Sequence, residues 1–225
     1  MSADIDLQLY SYYRSSAAYR VRIALAIKQL SYHQLPINLL SGEHRQSQYL
    51  QTNPGGLVPT ITTAEGTLTQ SLAIIEYLEE RYPKPSLLPQ SAMDRAQVRS
   101  IAYQVAMDIH PLNNPRVTQF LGATIGLNKQ QKLHWYQHWI AQGFGAMETN
   151  LKALNSNGRY CFGDSLTMAD ICLIPQVYNA LRFDCPMQDY PLISAIYSHC
   201  SDLAEFIAAS PESQPDCPAK GGELA

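Results

Sequence analysis

Apolar and polar residues alternate along residues 5–12, "IDLQLYSY", as in a short strand. The period then lengthens: over residues 17–29 the apolar positions Val21, Ile23, Ala24, Leu25 and Ile27 gather on one side of a helix. "HQLPINL" predicts a second strand, with Pro36 marking an edge or a strand end. "QTNPGGLVPTI" punctuates the chain before a third strand from Thr60, and "AEGTLTQS" supplies a turn and a fourth strand. From Ser71 to Tyr82, "SLAIIEYLEERY" places Leu72, Ile75, Leu78 and Glu79 at helical spacing and stops at "YPKPS".

Beyond Ser91 the pattern is helical throughout, over residues 91–122, 128–154, 167–182 and 190–209, with Gly, Asn and Pro between the stretches. The expected organisation is an α/β unit over 5–83, a linker at 84–90 within "KPSLLPQS", and an all-helical domain over 91–210. Residues 211–225, polar and rich in Pro and Gly, read as a flexible tail. In "DIHPLNNPRV", Pro111 and Pro115 predict a kink or break in the first long helical stretch.

The 225 residues are 46% hydrophobic, ample for a packed core, so composition changes this picture little. A net charge of -3 without a basic run argues against a nucleic-acid partner. "MSADIDLQLY" is unlike a signal peptide and no apolar run reaches membrane-spanning length, so a soluble cytoplasmic protein is expected. The five cysteines include no C-x-x-C pair, and the six histidines are scattered without ligand spacing. Neither a disulfide framework nor a metal is expected.

Candidate chemistry sits at the helix starts. Ser15 and Ser16 stand between the first strand and the first helix, where a serine serves either as a cap or as a donor to an anion. Gln70 and Ser71 occupy the same position before the next helix, with a plain serine N-cap as the alternative. "TMAD" fits a capping box in which Thr167 and Asp170 fix a core helix, a structural role. Trp135 and Trp139, four residues apart, read as core.

The segments "RSSAAYRVRIALA", "NPGGLVPTI", "QSLAIIEYLEERYP" and "GDSLTMADICLIPQV", in this order and over nearly the whole chain, resemble the cytosolic glutathione transferases, and among them the zeta class. The resemblance implies an α/β thioredoxin-like N-terminal domain that binds glutathione, an all-α C-terminal domain and a homodimer. It implies a glutathione-dependent cis–trans isomerase of maleylacetoacetate in tyrosine and phenylalanine catabolism. Maleylpyruvate isomerisation, glutathione transfer or dehalogenation on small α-halo acids, and non-catalytic glutathione binding are the alternatives.

By the same resemblance Ser15 partners the glutathione sulfur and Ser16 lies in the same anionic pocket, and of the two serines Ser16 is expected as the pure cap. Val58, before a cis Pro59, pairs with the glutathione main chain, and Gln70 and Ser71 hold its γ-glutamyl carboxylate. Arg14 and Arg182 meet the substrate's carboxylates, arginine's planar fork being suited to them. His110, Asn114 and Arg116 help hold glutathione or substrate. The family's usual cysteine is Ala17 here, which removes thiol chemistry by the protein itself, and His110 stands where glutamine is common, which leaves maleylacetoacetate and maleylpyruvate both open as substrates.

Overall fold

Four strands carry the alternating patterns: β1 (Gln8–Ser11), β2 (His33–Pro36), β3 (Thr60–Thr63) and β4 (Gly66–Thr69). In the computed structural model, which describes residues 7–218, they form one sheet in the order β2-β1-β3-β4. β1 runs parallel to β2, with Leu9 opposite Gln34, so a crossover is required, and α1 (Ser16–Ile27) provides it. β3 is antiparallel to β1, with Tyr10 opposite Thr60, and β4 is antiparallel to β3, with Thr60 opposite Thr69. These directions bring the end of β1, the start of β3 and the end of β4 to one edge of the sheet.

β2 stops at Pro36 instead of continuing to Leu39 because its partner ends there: Ser11 is opposite Pro36, and the chain beyond Ser11 turns away. Residues 5 and 6 of the expected first strand lie outside the described residues. A short helix, α2 (Ser47–Thr52), follows a 3-10 turn at Glu43–Arg45 where the sequence predicts no element, and it buries only Tyr49. α3 (Ser71–Arg81) closes the α/β unit. Leu9, Ile23, Ile61, Ile74 and Leu78 are fully buried between sheet and helices, each contributing about 1.5–3 kcal/mol.

The remaining helices are α4 (Ala92–Tyr103), α5 (Pro115–Ala123), α6 (Lys129–Ala153), α7 (Met168–Arg182), α8 (Pro191–Ser201) and α9 (Ala204–Ala209). The expected break between α4 and α5 is present as a π-helical turn at Gln104–Ile109 and a 3-10 turn at His110–Asn113. At the start of α7, Thr167 donates to Asp170 Oδ2 from its N–H at 2.8 Å and from its hydroxyl at 2.9 Å. The Cys161 N–H donates to Asp170 Oδ1 at 2.7 Å, and Asp170 is fully buried.

The described residues form two compact units, one from 7–85 with 203–218 and one from Ser86–Asp202. The stretch expected as a linker, 84–90, is instead built into both units. Buried Lys28 donates from Nζ to Glu79 at 2.8 Å, to the Tyr82 carbonyl at 2.6 Å and to the Pro85 carbonyl at 3.0 Å. In the helical unit the Met168 N–H donates to the Leu87 carbonyl at 2.9 Å.

α9, expected within the helical domain of 91–210, belongs to the α/β unit, where the Tyr19 hydroxyl donates to the Phe206 carbonyl at 3.2 Å. The expected tail of 211–225 begins with a 3-10 turn at Pro211–Ser213 and is docked as far as Pro218; residues 219–225 lie outside the described residues. The Tyr13 N–H donates to Asp216 Oδ2 at 2.9 Å, across 203 residues of sequence. Composition reads such a segment as flexible because its partners are backbone groups far away in the chain.

Candidate functional site

The edge where β1 ends, β3 begins and β4 ends carries most of the candidate residues. After Ser11 the chain turns, closed by the Ser15 N–H donating to the Tyr12 carbonyl at 2.9 Å. Ser15 is the N-cap of α1: its backbone is extended and its Oγ accepts the Ala18 N–H at 3.2 Å. Ser16 is the first helical residue and is buried. The assignment of Ser16 as the pure cap is therefore corrected, because Ser16 already has helical backbone and the capping geometry falls to its half-exposed neighbour.

A hydroxyl that accepts an N–H keeps its own hydrogen for donation, and the accepted bond makes it a better donor. Among the described residues, the Ala18 contact is the hydrogen bond that engages Ser15 Oγ. The first-turn N–H groups and the positive end of the α1 dipole face the same place. Arg14, half-buried, reaches the Tyr12 hydroxyl from Nη2 at 3.4 Å and lies over the Tyr13 ring at 5.2 Å. Burial and the neighbouring Tyr12 raise the Tyr13 phenol above its ordinary pKa, opposed by the Arg14 charge, so Tyr13 stays protonated at neutral pH.

The Val58–Pro59 peptide is cis and stands directly before β3. Val58 is buried in a cluster with Tyr12, Tyr13 and Tyr49, which connects it to the Ser15 turn. A second cis bond, Lys84–Pro85, has no counterpart in the sequence expectations.

At the end of β4, Gln70 is the residue that precedes α3, and Ser71 is the first residue inside it. The plain serine-cap alternative is thus set aside. Gln70 makes no side-chain bond to the helix, is exposed, and adopts φ 70°, a region that costs a residue with a side chain of order 1–3 kcal/mol. α3 therefore begins without a side-chain cap, and its orphan N–H groups are available to an anion. Beneath them, Arg20 Nη1 donates to Ser71 Oγ at 3.4 Å, both residues being buried. Arg20 escapes a reading by periodicity, which assigns charges to exposed faces. Its signal is that α1 offers almost no polar face for an arginine to occupy: nine of its residues, from Ser16 to Leu25, are buried.

The other candidates belong to the helical unit. His110 opens the 3-10 turn of the break, and Asn114 caps α5, its Oδ1 accepting the Arg116 N–H at 3.1 Å. The Arg116 side chain is exposed. Arg182 is the last residue of α7; its Nη1 donates to Asn179 Oδ1 at 3.2 Å and its guanidinium lies 4.6 Å over the Phe183 ring. α6 links these places, since Tyr136 stacks on Phe183 at 3.9 Å and its carbonyl accepts from Asn113 Nδ2 at 3.4 Å. Trp135, expected as core, is half-buried and pins the break through its Nε1, which donates to the Leu112 carbonyl at 2.9 Å.

Cys161, Cys172, Cys185 and Cys200 are buried, and burial raises Cys161 well above the usual thiol range and Cys185 to about 11. Such groups are not thiolates at neutral pH.

Residues 5–80 match the family described as glutathione S-transferase, N-terminal domain. The chain is 47% identical to a probable maleylacetoacetate isomerase of Vibrio cholerae, over 94% of this chain and 99% of that protein. Among solved structures, a holo maleylpyruvate isomerase described as a bacterial zeta-class glutathione S-transferase is 43% identical, with a TM-score of 0.92 over 94% of this chain and 100% of that one. A maleylacetoacetate isomerase from Methylobacterium extorquens with bound malonate and glutathione is 38% identical, with a TM-score of 0.90 over 94% of this chain and 100% of that one.

Proposed function

We propose, from the premise that this chain belongs to the zeta class of glutathione transferases, that it is a glutathione-dependent cis–trans isomerase converting maleylacetoacetate to fumarylacetoacetate. The observation that carries the reading is Ser15, a helix-capping hydroxyl whose own hydrogen remains for an incoming anion. The uncapped start of α3 and the exposed, strained Gln70 support it, since both suit a carboxylate-bearing ligand. When bound, glutathione supplies the thiolate that opens the cis double bond to rotation and then departs.

A free thiol near pKa 8.5 is only a few per cent ionised at neutral pH, so the protein's task is to favour the anion. Ser15 donates to the sulfur while the α1 dipole adds its positive end; together they need supply about 2.7 kcal/mol to lower the pKa by two units. Ser71 and the first N–H groups of α3 hold the γ-glutamyl carboxylate, with Gln70 beside them. Ser71 Oγ already accepts from Arg20, so its own hydrogen is left for donation and the buried cation reinforces the site's preference for an anion. Val58 pairs through its backbone with the cysteinyl main chain, in the manner of an added strand.

Arg14 is the first candidate to hold a substrate carboxylate and Arg182 the second, and a guanidinium in that role stabilises charge as it builds on the carbonyl oxygen. His110, Asn114 and Arg116 serve glutathione or substrate at the break between α4 and α5. The working protein is a cytoplasmic homodimer acting in tyrosine and phenylalanine catabolism. Purified protein given maleylacetoacetate and a catalytic amount of glutathione should form the fumaryl isomer; no glutathione-dependent conversion would end this reading. His110 leaves maleylpyruvate open as the alternative substrate, and comparing kcat/KM for the two compounds decides between them.

A further inference from the structure

Tyr13 lies between the end of β1 and Ser15, and both of its backbone polar groups are held by residues outside the turn. Its N–H donates to Asp216 Oδ2 at 2.9 Å, and its carbonyl accepts from Arg22 Nη2 at 2.9 Å. From Nη1 the same guanidinium donates to Ser11 Oγ at 3.0 Å and to the Tyr12 carbonyl at 3.4 Å. Its Nε donates to the Ala209 carbonyl, at the end of α9, at 2.9 Å. One buried cation thus grips the strand end and turn on one side and the C-terminal helix on the other.

Asp216 closes the arrangement from the opposite direction. Its Oδ1 accepts from Gln34 Nε2 at 3.1 Å, so one carboxylate bridges β2 and Tyr13. Next to it, Cys217 packs against the cluster of Tyr12, Tyr13, Tyr49 and Val58, which joins the Ser15 turn to the residue before Pro59. Burial lowers Arg22 to about 10, and Asp216 and Glu212 of the C-terminal segment are among the charges that favour its ionised form. The segment therefore supplies Arg22 with charge compensation as well as an acceptor.

We propose that the C-terminal segment from Leu203 to Pro218 is a clamp that holds the Ser15 turn in the geometry needed to stabilise a bound thiolate, with Asp216 and Arg22 as positioning residues. The proposal rests on the reading of Ser15 given above. A single hydroxyl-to-sulfur hydrogen bond depends steeply on distance and angle, and the turn that aims it is closed by the backbone bond from Ser15 to Tyr12. Fixing the N–H and the carbonyl of Tyr13 together removes the peptide rotations that would swing Ser15 away. Neither positioning residue touches the ligand; both act through Tyr13.

The test measures the ultraviolet absorbance of the bound glutathione thiolate against pH, alongside kcat, KM and thermal unfolding, in Asp216→Ala, Asp216→Asn, Ser15→Ala and the double variant Ser15→Ala/Asp216→Ala. Asp216→Ala should raise the pKa of the bound thiol by about one unit, which from about 6.5 lowers the thiolate fraction at pH 7, and kcat with it, about threefold. KM for glutathione should change less than twofold, because the carboxylate-binding end at α3 is untouched. Asp216→Asn, which retains an acceptor oxygen for the Tyr13 N–H, should recover most of the loss. In the Ser15→Ala background Asp216→Ala should shift the thiolate no further, whereas a general weakening of the fold would act in both backgrounds. A wild-type thiolate titration in Asp216→Ala, or equal and additive effects in the two backgrounds, would overturn the clamp alone; an unchanged titration in Ser15→Ala would overturn the Ser15 reading and the clamp with it.

Discussion

Ser15 and Thr167 each stand in extended backbone at the start of a helix, with a hydroxyl beside first-turn N–H groups. At α7 the hydroxyl's hydrogen is spent inside the protein, on Asp170 Oδ2 at 2.9 Å, and the carboxylate is itself filled by the N–H groups of Thr167 and Cys161. The arrangement is buried and closed. At α1 the cap is half-exposed, no acidic residue stands in the first turn, and the hydroxyl accepts without an internal acceptor for its own hydrogen among the described residues. The same capping chemistry therefore serves stability where a carboxylate completes it and, under the proposed function, serves a ligand where none is present.

Removing each hydroxyl or carboxylate should separate the two uses. Ser15→Ala should cost about 1 kcal/mol of folding stability, as for any N-cap, but about 10²–10³-fold in kcat/KM if Ser15 is a positioned donor to developing negative charge. Kinetics and urea unfolding on one preparation give both numbers; a loss of stability without a loss of turnover would make Ser15 only a cap. Asp170→Ala should show the reverse, losing about 2–4 kcal/mol because the Thr167 and Cys161 donors are left buried and unpaired. Turnover per folded molecule should stay within a few-fold, measured after correcting for the folded fraction.

How far the sequence reveals this contrast depends on how local each interaction is. The β-α-β and β-β-α order, the break between α4 and α5 and the box at Thr167 follow from turn residues, prolines and spacings within a few positions, and all are legible. The division of roles between Ser15 and Ser16 turns on a one-residue difference in where helical backbone begins, which spacing cannot resolve. Arg20, Arg22 and Lys28 carry no local signal of burial, yet they are buried because carbonyls and hydroxyls far along the chain receive them. Asp216 is the extreme case: nothing in "SPESQPDCPAKGGELA" points to the backbone of Tyr13.

The start of α3 provides an intermediate test between these two helices. Ser71 accepts from Arg20 and leads an uncapped helix, so Ser71→Ala should raise KM for glutathione by about 3–10-fold, the worth of one charge-assisted bond, with kcat nearly unchanged. An equal fall in kcat would mean that the carboxylate end and the sulfur end are not separable. Glutathione dissociation measured by calorimetry should follow the KM change.

The smallest effect is a pH slope that only the closed helix start should display. Burial raises the Asp170 carboxyl above its ordinary range, and the bonds from Cys161 and Thr167 offset this only in part. The folded state therefore keeps the proton to higher pH than the unfolded chain does. Wherever the folded state binds more protons, stability falls as pH rises, so this contribution is complete below the ordinary aspartate pKa of about 4 and is lost as pH climbs through the folded value. Asp170→Asn cannot ionise and should lack that part of the slope. Urea unfolding of both proteins from acid to neutral pH should show the wild-type advantage shrinking as pH rises; an advantage that grows instead would mean the three donors outweigh burial and that Asp170 is ionised throughout.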